Sequence, residues 1–160
     1  DTVPKYLQTG KYSPKASVRT ISNAMDVGEP SNFVRILEIF NNDFKKLKNF
    51  FSSYSFNDTQ TLEAITNVYK RHDYILDPHG AVGYLGLKKY LNKNLNSTGI
   101  FFETAHPIKF SEDVEKTLGI KLKKPELIKE LIKKNKYSIQ IKNYNEFKNE
   151  LLKISQKNNF

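Results

Sequence analysis

The segment from Asp77 to Leu91 constrains the fold of this chain more than any other. Asp77 followed by Pro78 is typical of a helix start, because the carboxylate accepts free N–H groups of the first turn and proline fits the first helical position. Three glycines lie three residues apart in the predicted helix, at Gly80, Gly83 and Gly86. Each costs about 0.8–1 kcal/mol relative to alanine in a helix interior. We therefore expect a large neighbour to approach this helix closely, either another backbone element or a ligand near the helix start.

Six further helices are predicted from capping residues and from apolar residues at helical spacing. They begin at Ser31, Asp43, Asn57, Ser111, Pro125 and Asn143. Asn57 with Gln60, and Asn143 with Glu146, have the spacing of a capping box. Three of these helices follow one another within residues 31–73, and we interpret this stretch as a helical subdomain.

Short strands are predicted between some of the helices. Residues Gly99 to Glu103 (GIFFE) form an apolar run rich in aromatic residues, which is typical of a buried strand. Tyr137 to Ile141 alternates apolar and polar residues, as a strand does. Residues 1–30 carry turn formers and little periodicity, so we expect an irregular segment with one short strand near Val18 to Met25. This alternation of strands and helices favours an α/β layer architecture.

Composition excludes several classes of site. The chain of 160 residues has no cysteine, which removes disulfides, thiolate catalysis and cysteine metal sites. Its three histidines are widely spaced, so we expect no zinc site. No apolar run approaches the roughly 18 residues that span a bilayer, and no basic-then-apolar segment resembles a signal peptide. We expect neither a metal nor a membrane partner.

The net charge of +9 is concentrated at the end of the chain, where residues 121–160 hold 11 basic and 4 acidic groups. Lysines there alternate with leucine and isoleucine at helical spacing, the pattern of solvated helix faces. Lysine outnumbers arginine 23 to 3, whereas recognition of bases and phosphates usually favours arginine. We therefore do not expect a nucleic-acid partner, although a basic nucleic-acid-binding fragment stays open as an alternative.

Polar residues directly after the predicted strand 99–103 are candidates for binding. Thr104 and His106 lie where open α/β sheets bind ligands, at the carboxyl end of a strand and before a helix. The Thr104 hydroxyl could equally satisfy the backbone of its own turn. From position alone, His79 is more simply a surface or core residue, and Asp77 a helix cap. The residues by themselves predict an α/β domain with a ligand pocket at Thr104.

Three ordered blocks carry a resemblance to a known family. They are Ser22–Phe33 (SNAMDVGEPSNF), Asp77–Leu87 (DPHGAVGYLGL) and Thr104–Phe110 (TAHPIKF). Together they resemble the C-terminal part of the threonine synthase family, pyridoxal-phosphate enzymes of the tryptophan-synthase-β fold. The resemblance implies an incomplete three-layer α/β/α domain of pyridoxal-phosphate fold type II, helix-rich with few short strands. Residues 1–160 would then be the C-terminal part of the catalytic region.

The resemblance also implies an activity. Threonine synthases convert O-phospho-L-homoserine and water to L-threonine and phosphate, with pyridoxal 5'-phosphate as cofactor. The Schiff-base lysine and the glycine-rich phosphate loop of the family lie upstream of the matching region, so this chain holds no catalytic residue. We expect a C-terminal fragment of a cytoplasmic enzyme that binds the cofactor weakly or not at all and self-associates through apolar surface meant for the N-terminal half. A non-catalytic interaction fragment is the other alternative.

Site residues carry over from the family position by position. Thr104 stands where a hydroxyl faces the pyridine nitrogen of the cofactor. The block that borders the cofactor ring contributes Asp77, Pro78, His79 and Gly80. Candidates on the substrate side are Asn23, Asp26, Ser31, Asn32, His106 and Lys109. Many relatives have threonine at the position of Gly80 and asparagine at the position of Glu29, so this chain departs from the family pattern there.

Overall fold

The computed structural model describes residues 1–157, which form eight α-helices and two short 3-10 helices. The α-helices are α1 (Thr2–Thr9), α2 (Phe33–Ile39), α3 (Phe44–Phe50), α4 (Asp58–His72), α5 (Pro78–Leu91), α6 (Ser111–Leu118), α7 (Glu126–Ile132) and α8 (Tyr144–Lys157). The 3-10 helices are Asn23–Met25 and Pro107–Phe110. The prediction of a helix-rich chain is confirmed.

The three predicted strands are wrong, because no residue from 1 to 157 lies in a strand. Residues 99–103 and 137–141 are free of regular structure, and the stretch near residues 18–25 ends in a 3-10 turn. A strand exists only by pairing its backbone with a second strand. Composition and alternation predict the extended backbone, but they do not provide the partner.

Residues 1–30 are not irregular throughout, since α1 occupies Thr2–Thr9. Val3, Tyr6 and Leu7 have the spacing of one helix face, and Tyr6 and Leu7 are buried. Gly10 ends the helix in the left-handed conformation at φ 71°, which suits glycine. Pro4 within the helix, and the three turn formers Pro14, Gly28 and Pro30 after Gly10, obscured this short helix.

Local capping decides where most helices begin. Asp43 accepts hydrogen bonds from two first-turn N–H groups of α3, and Asn57 forms the predicted capping box with Gln60. Two predicted caps are wrong. The residue before α2 is Asn32 rather than Ser31, and it makes no side-chain cap bond. Ser111 is itself the first residue of α6, because the 3-10 helix before it leads directly into the helix.

Two apolar clusters form the core. The first joins α4 and α5 and contains Ala64, Ile65, Val68, Leu76 and Ala81. The second joins α1, α2 and α3 and contains Tyr6, Leu7, Phe33 and Leu47. Helix α4 also packs on α6. The helices of residues 31–73 are thus confirmed as helices, and they contribute to both clusters.

The chain divides into two compact units, residues 1–123 and the residues from Lys124 onward. The first unit contains both clusters and all candidate site residues. The second contains α7 and α8. One bond of the predicted capping box of α8 is present, with the Glu146 N–H donating to Asn143 Oδ1 at 3.0 Å, but the Glu146 carboxylate accepts from the Lys142 N–H rather than from the Asn143 N–H. Among residues 1–157, no helix is long and apolar enough to cross a bilayer. The same residues contain no cluster of three or more histidine, aspartate or glutamate side chains suited to a metal ion.

Candidate functional site

Asp77, which is fully buried, organises the start of α5. Its carboxylate accepts from the His79 N–H at 2.8 Å and from the Gly80 N–H at 3.4 Å, so it caps the helix as predicted. Oδ1 also lies 2.8 Å from Nδ1 of the His79 ring. Because a carboxylate only accepts, Nδ1 carries the proton, and the buried Nε2 has no hydrogen-bond partner in the described residues.

Glu103 completes this site, and the sequence analysis did not single it out. Its Oε1 accepts from the Asp77 N–H at 2.8 Å, although 26 residues separate the two. Its carboxylate fills the space beside Gly80, where a Cβ would collide with it. The sequence feature that could have pointed to Glu103 is its place at the end of an otherwise apolar run, directly before Thr104. Its partner could not be read from the sequence, because the contact is tertiary.

Two neighbouring carboxyl groups have opposite pKa shifts. Burial, followed by hydrogen bonding with Asp77, raises the pKa of Glu103 to about 7. Burial alone would raise the pKa of Asp77 too, but hydrogen bonds from Glu103, His79 and Gly80 outweigh it and hold that pKa below its ordinary value. At neutral pH the site therefore holds an ionised Asp77 beside a partly protonated Glu103.

Glu103 also lines a pocket of about 680 Å³, and three predicted site residues line it too: Thr104, His106 and Lys109. The Thr104 hydroxyl has no hydrogen-bond partner in the described residues, so the turn does not use it. His106 does have a structural role, since its Nδ1 accepts from the Ile108 N–H at 3.1 Å and caps the 3-10 helix Pro107–Phe110.

The first block forms its own small network. Asp26 accepts from the Thr20 N–H at 3.0 Å and from the Thr20 hydroxyl at 2.7 Å. These bonds, with smaller contributions from the charges of Arg19 and His79, lower the pKa of Asp26. Gly28 is needed here, because a Cβ would collide with the backbone at Lys15. Asn23, Ser31 and Asn32 lie along the same segment without side-chain hydrogen bonds in the described part of the chain.

The structure brings the second and third blocks together. Glu103, next to the third block, bonds to Asp77, and the rings of His79 and Phe110 lie 5.0 Å apart. The first block is linked to them by a small contribution of the His79 charge to the lowered pKa of Asp26. Thr104, His106 and Lys109 line one pocket together with Glu103, and residues 77–80 are not among its lining residues.

Comparisons with known proteins give one family. A family model described as "Threonine synthase, C-terminal" matches residues 80–150. Threonine synthase from Haemophilus influenzae is 42% identical over 128 residues, which are 80% of this chain and 29% of that protein. Threonine synthase from Escherichia coli is 41% identical over 130 residues, again 29% of its length. The chain therefore spans under a third of the length of these curated relatives.

Solved structures agree with the sequence matches. The crystal structure of threonine synthase from Escherichia coli superposes with a TM-score of 0.73 at 40% identity, covering 81% of this chain and 29% of that one. The structure of pyridoxal-phosphate-bound threonine synthase from Brucella melitensis has a TM-score of 0.63 at 22% identity, covering 84% of this chain and 34% of that one, and shows a shared fold. What the chain matches in these sequences and structures is the C-terminal part of threonine synthases.

Proposed function

We propose that these residues form one wall of the active site of a threonine synthase, which converts O-phospho-L-homoserine and water to L-threonine and phosphate. The proposal is supported by relatives of that name at about 40% identity. The observation that carries it is the meeting of the second and third blocks, which puts the unpaired Thr104 hydroxyl next to the residue that bonds the α5 start. The relatives reported above give no support to a nucleic-acid-binding or purely scaffolding role.

The residues present fit a pyridoxal 5'-phosphate cofactor. A free hydroxyl on a pocket wall suits a neutral contact to a ring nitrogen, and the Thr104 hydroxyl is unpaired within the described residues. When bound, the cofactor supplies an electron sink for proton removal and phosphate loss. Thr104 would hold the ring nitrogen without forcing its protonation, and the segment from Asp77 to Gly80 would form the adjacent wall.

The pocket of Thr104 carries both basic and acidic groups, since Asp73 and Glu103 line it together with two lysines. Lys109 and Lys123 line the pocket of Thr104, and neither forms an ion pair within the described residues. Two ammonium groups would favour binding of a phosphate monoester. We assign Lys109 to the phosphate and His106 to the shape of the pocket floor. Asn23, Asp26, Ser31 and Asn32 would border the mouth.

The rest of the site would come from the part of the family chain that these residues do not span. There we place the Schiff-base lysine and the loop that holds the cofactor phosphate. Residues 99–103 support this view of an incomplete α/β/α domain. Ile100 and Phe102 are 83% and 81% exposed, Phe101 packs inward, and the backbone of this segment forms no main-chain hydrogen bonds within the described residues. Such a segment would add as a strand to a neighbouring sheet.

The test is formation of L-threonine and inorganic phosphate from O-phospho-L-homoserine by the protein expressed from the complete reading frame that encodes these residues. Loss of one hydrogen bond to the cofactor ring in Thr104→Val should lower kcat roughly 10- to 100-fold. Thr104→Ser keeps the hydroxyl and serves as the matched control, with kcat near that of the wild type. Circular dichroism checks that both variants keep the fold.

Two results would count against different parts of the proposal. If the wild-type protein releases no phosphate while binding pyridoxal phosphate, the proposed activity is wrong. If the wild type is active and Thr104→Val matches it, the family assignment stands and the contact assigned to Thr104 is wrong.

A further inference from the structure

Helix α5 lacks the side chain that closes a capping box, and the same protein shows what the complete motif looks like. In α4, the Asn57 N–H donates to Gln60 Oε1 at 3.0 Å, and the Gln60 N–H donates to Asn57 Oδ1 at 2.9 Å. The residue three positions after the cap thus supplies the second acceptor. In α5 that position is Gly80, which has no side chain to offer.

Glu103 supplies the missing acceptor from a distant part of the chain. Its Oε1 accepts from the Asp77 N–H at 2.8 Å, while the Asp77 carboxylate accepts from the Gly80 N–H at 3.4 Å. These are the two bonds of the box in α4, with Glu103 in place of Gln60. The space that the carboxyl group occupies exists because Gly80 has no Cβ. Gly80 and Glu103 are therefore a matched pair.

A local box stabilises only its helix, whereas this one ties two segments together. Residues 99–103 have no main-chain hydrogen bonds of their own within the described residues. The Glu103 side chain is what fixes the end of that segment on the first turn of α5. Thr104 follows directly, and consecutive Cα atoms lie about 3.8 Å apart, so fixing residue 103 restricts where residue 104 lies.

We propose that Glu103 is a positioning residue, which holds the Thr104 hydroxyl at the pocket by completing the cap of α5 across 26 residues. The inference rests on the proposed function for the role of Thr104, but the long-range cap itself does not. The burial that raises the pKa of Glu103 fits this role, because a protonated carboxyl group sits beside Asp77 at a lower cost than a second charge.

The decisive experiment separates capping from positioning, and it uses the protein expressed from the complete reading frame that encodes these residues. Glu103→Ala removes the acceptor, and Gly80→Glu combined with Glu103→Ala rebuilds a local box at the ordinary position. In Glu103→Ala we expect about tenfold faster hydrogen exchange of the Asp77 amide, a lower melting temperature and about tenfold weaker binding of pyridoxal phosphate in an absorbance titration. The double variant should regain amide protection and melting temperature, but not cofactor affinity or kcat. Glu103→Gln keeps Oε1, as Gln60 does in α4, and should retain all of them.

Each readout can overturn a specific step. Unchanged exchange of the Asp77 amide in Glu103→Ala means that the long-range cap does not form. A double variant that regains cofactor affinity and kcat together with stability shows that Glu103 is only a cap, and so does a Glu103→Ala protein that binds the cofactor like the wild type. A wild-type protein that neither binds the cofactor nor releases phosphate contradicts the proposed function, and amide exchange then decides the cap on its own.

Discussion

The chemistry of single residues at the start of α5 follows from burial. Asp77 and Glu103 are the same kind of acid within one small site, yet one pKa falls and the other rises. The Asp77 carboxylate accepts hydrogen bonds from two helix N–H groups and from the His79 ring. Glu103 accepts from one N–H donor, and its buried Oε2 has no partner in the described residues. Asp77 therefore keeps its charge because its hydrogen bonds with Glu103, His79 and Gly80 outweigh its burial, whereas burial dominates at Glu103.

The raised pKa of Glu103 predicts a pH dependence of stability. A folded-state pKa of about 7 against an ordinary value of 4.5 means that the folded protein holds this proton more tightly. The stabilisation is complete below pH 4.5 and is lost as pH rises through 7. Over this pH range Asp77 stays ionised, and His79 is present both in the wild type and in Glu103→Gln, so the comparison of the two proteins isolates Glu103. The unfolding free energy of the wild type should therefore fall relative to that of Glu103→Gln between pH 4.5 and 7.5. Urea titrations at several pH values check this, and a constant difference would contradict it.

At the scale of elements, the sequence predicted features that form within one helix, but it did not predict contacts between elements. The caps at Asp43, Asn57 and Asp77 act within three residues, so the sequence reveals them. Among the glycines of α5, Gly80 has the expected close neighbour within the described residues, the carboxylate of Glu103, whereas Gly83 and Gly86 have only ordinary contacts with Phe101 and Tyr54. Strand pairing and the contact of Glu103 both depend on distant residues. The pattern therefore predicted strands that do not form within residues 1–157, and it gave no sign of the bond between Glu103 and Asp77.

The glycines of α5 should respond differently to alanine. A Cβ at Gly86 would meet Tyr54 at an ordinary 3.7 Å, so Gly86→Ala should stabilise the chain by up to about 1 kcal/mol through helix propensity. Gly80→Ala should instead destabilise it by about 1 kcal/mol, because the new methyl group displaces Glu103 from the Asp77 N–H. Urea denaturation of the two variants makes the comparison. A stabilising Gly80→Ala would mean that Glu103 moves aside without loss.

At the scale of the whole molecule, core and charge are separated along the chain. Every buried residue in the described part of the chain lies before residue 124, within the unit that carries the site. The residues after it hold most of the net positive charge and present leucine and isoleucine side chains that are at least half exposed, among them Leu127 and Leu152. The match to the family model nevertheless runs to residue 150, although none of the residues it covers after 123 belongs to either cluster.

Removal of residues 124–160 should therefore leave the first unit folded. We expect the truncated chain to unfold cooperatively, with a free energy of unfolding within about 1 kcal/mol of the full chain, since no buried side chain is lost. Ending the chain at Phe110 is the contrasting variant, because it removes Val114, which is fully buried, together with the helix that packs on α4. That loss should cost at least 2 kcal/mol. Urea denaturation followed by circular dichroism distinguishes the two truncations. Equal destabilisation by both would show that the charged segment supports the core, and the division at residue 123 would then not be a boundary of stability.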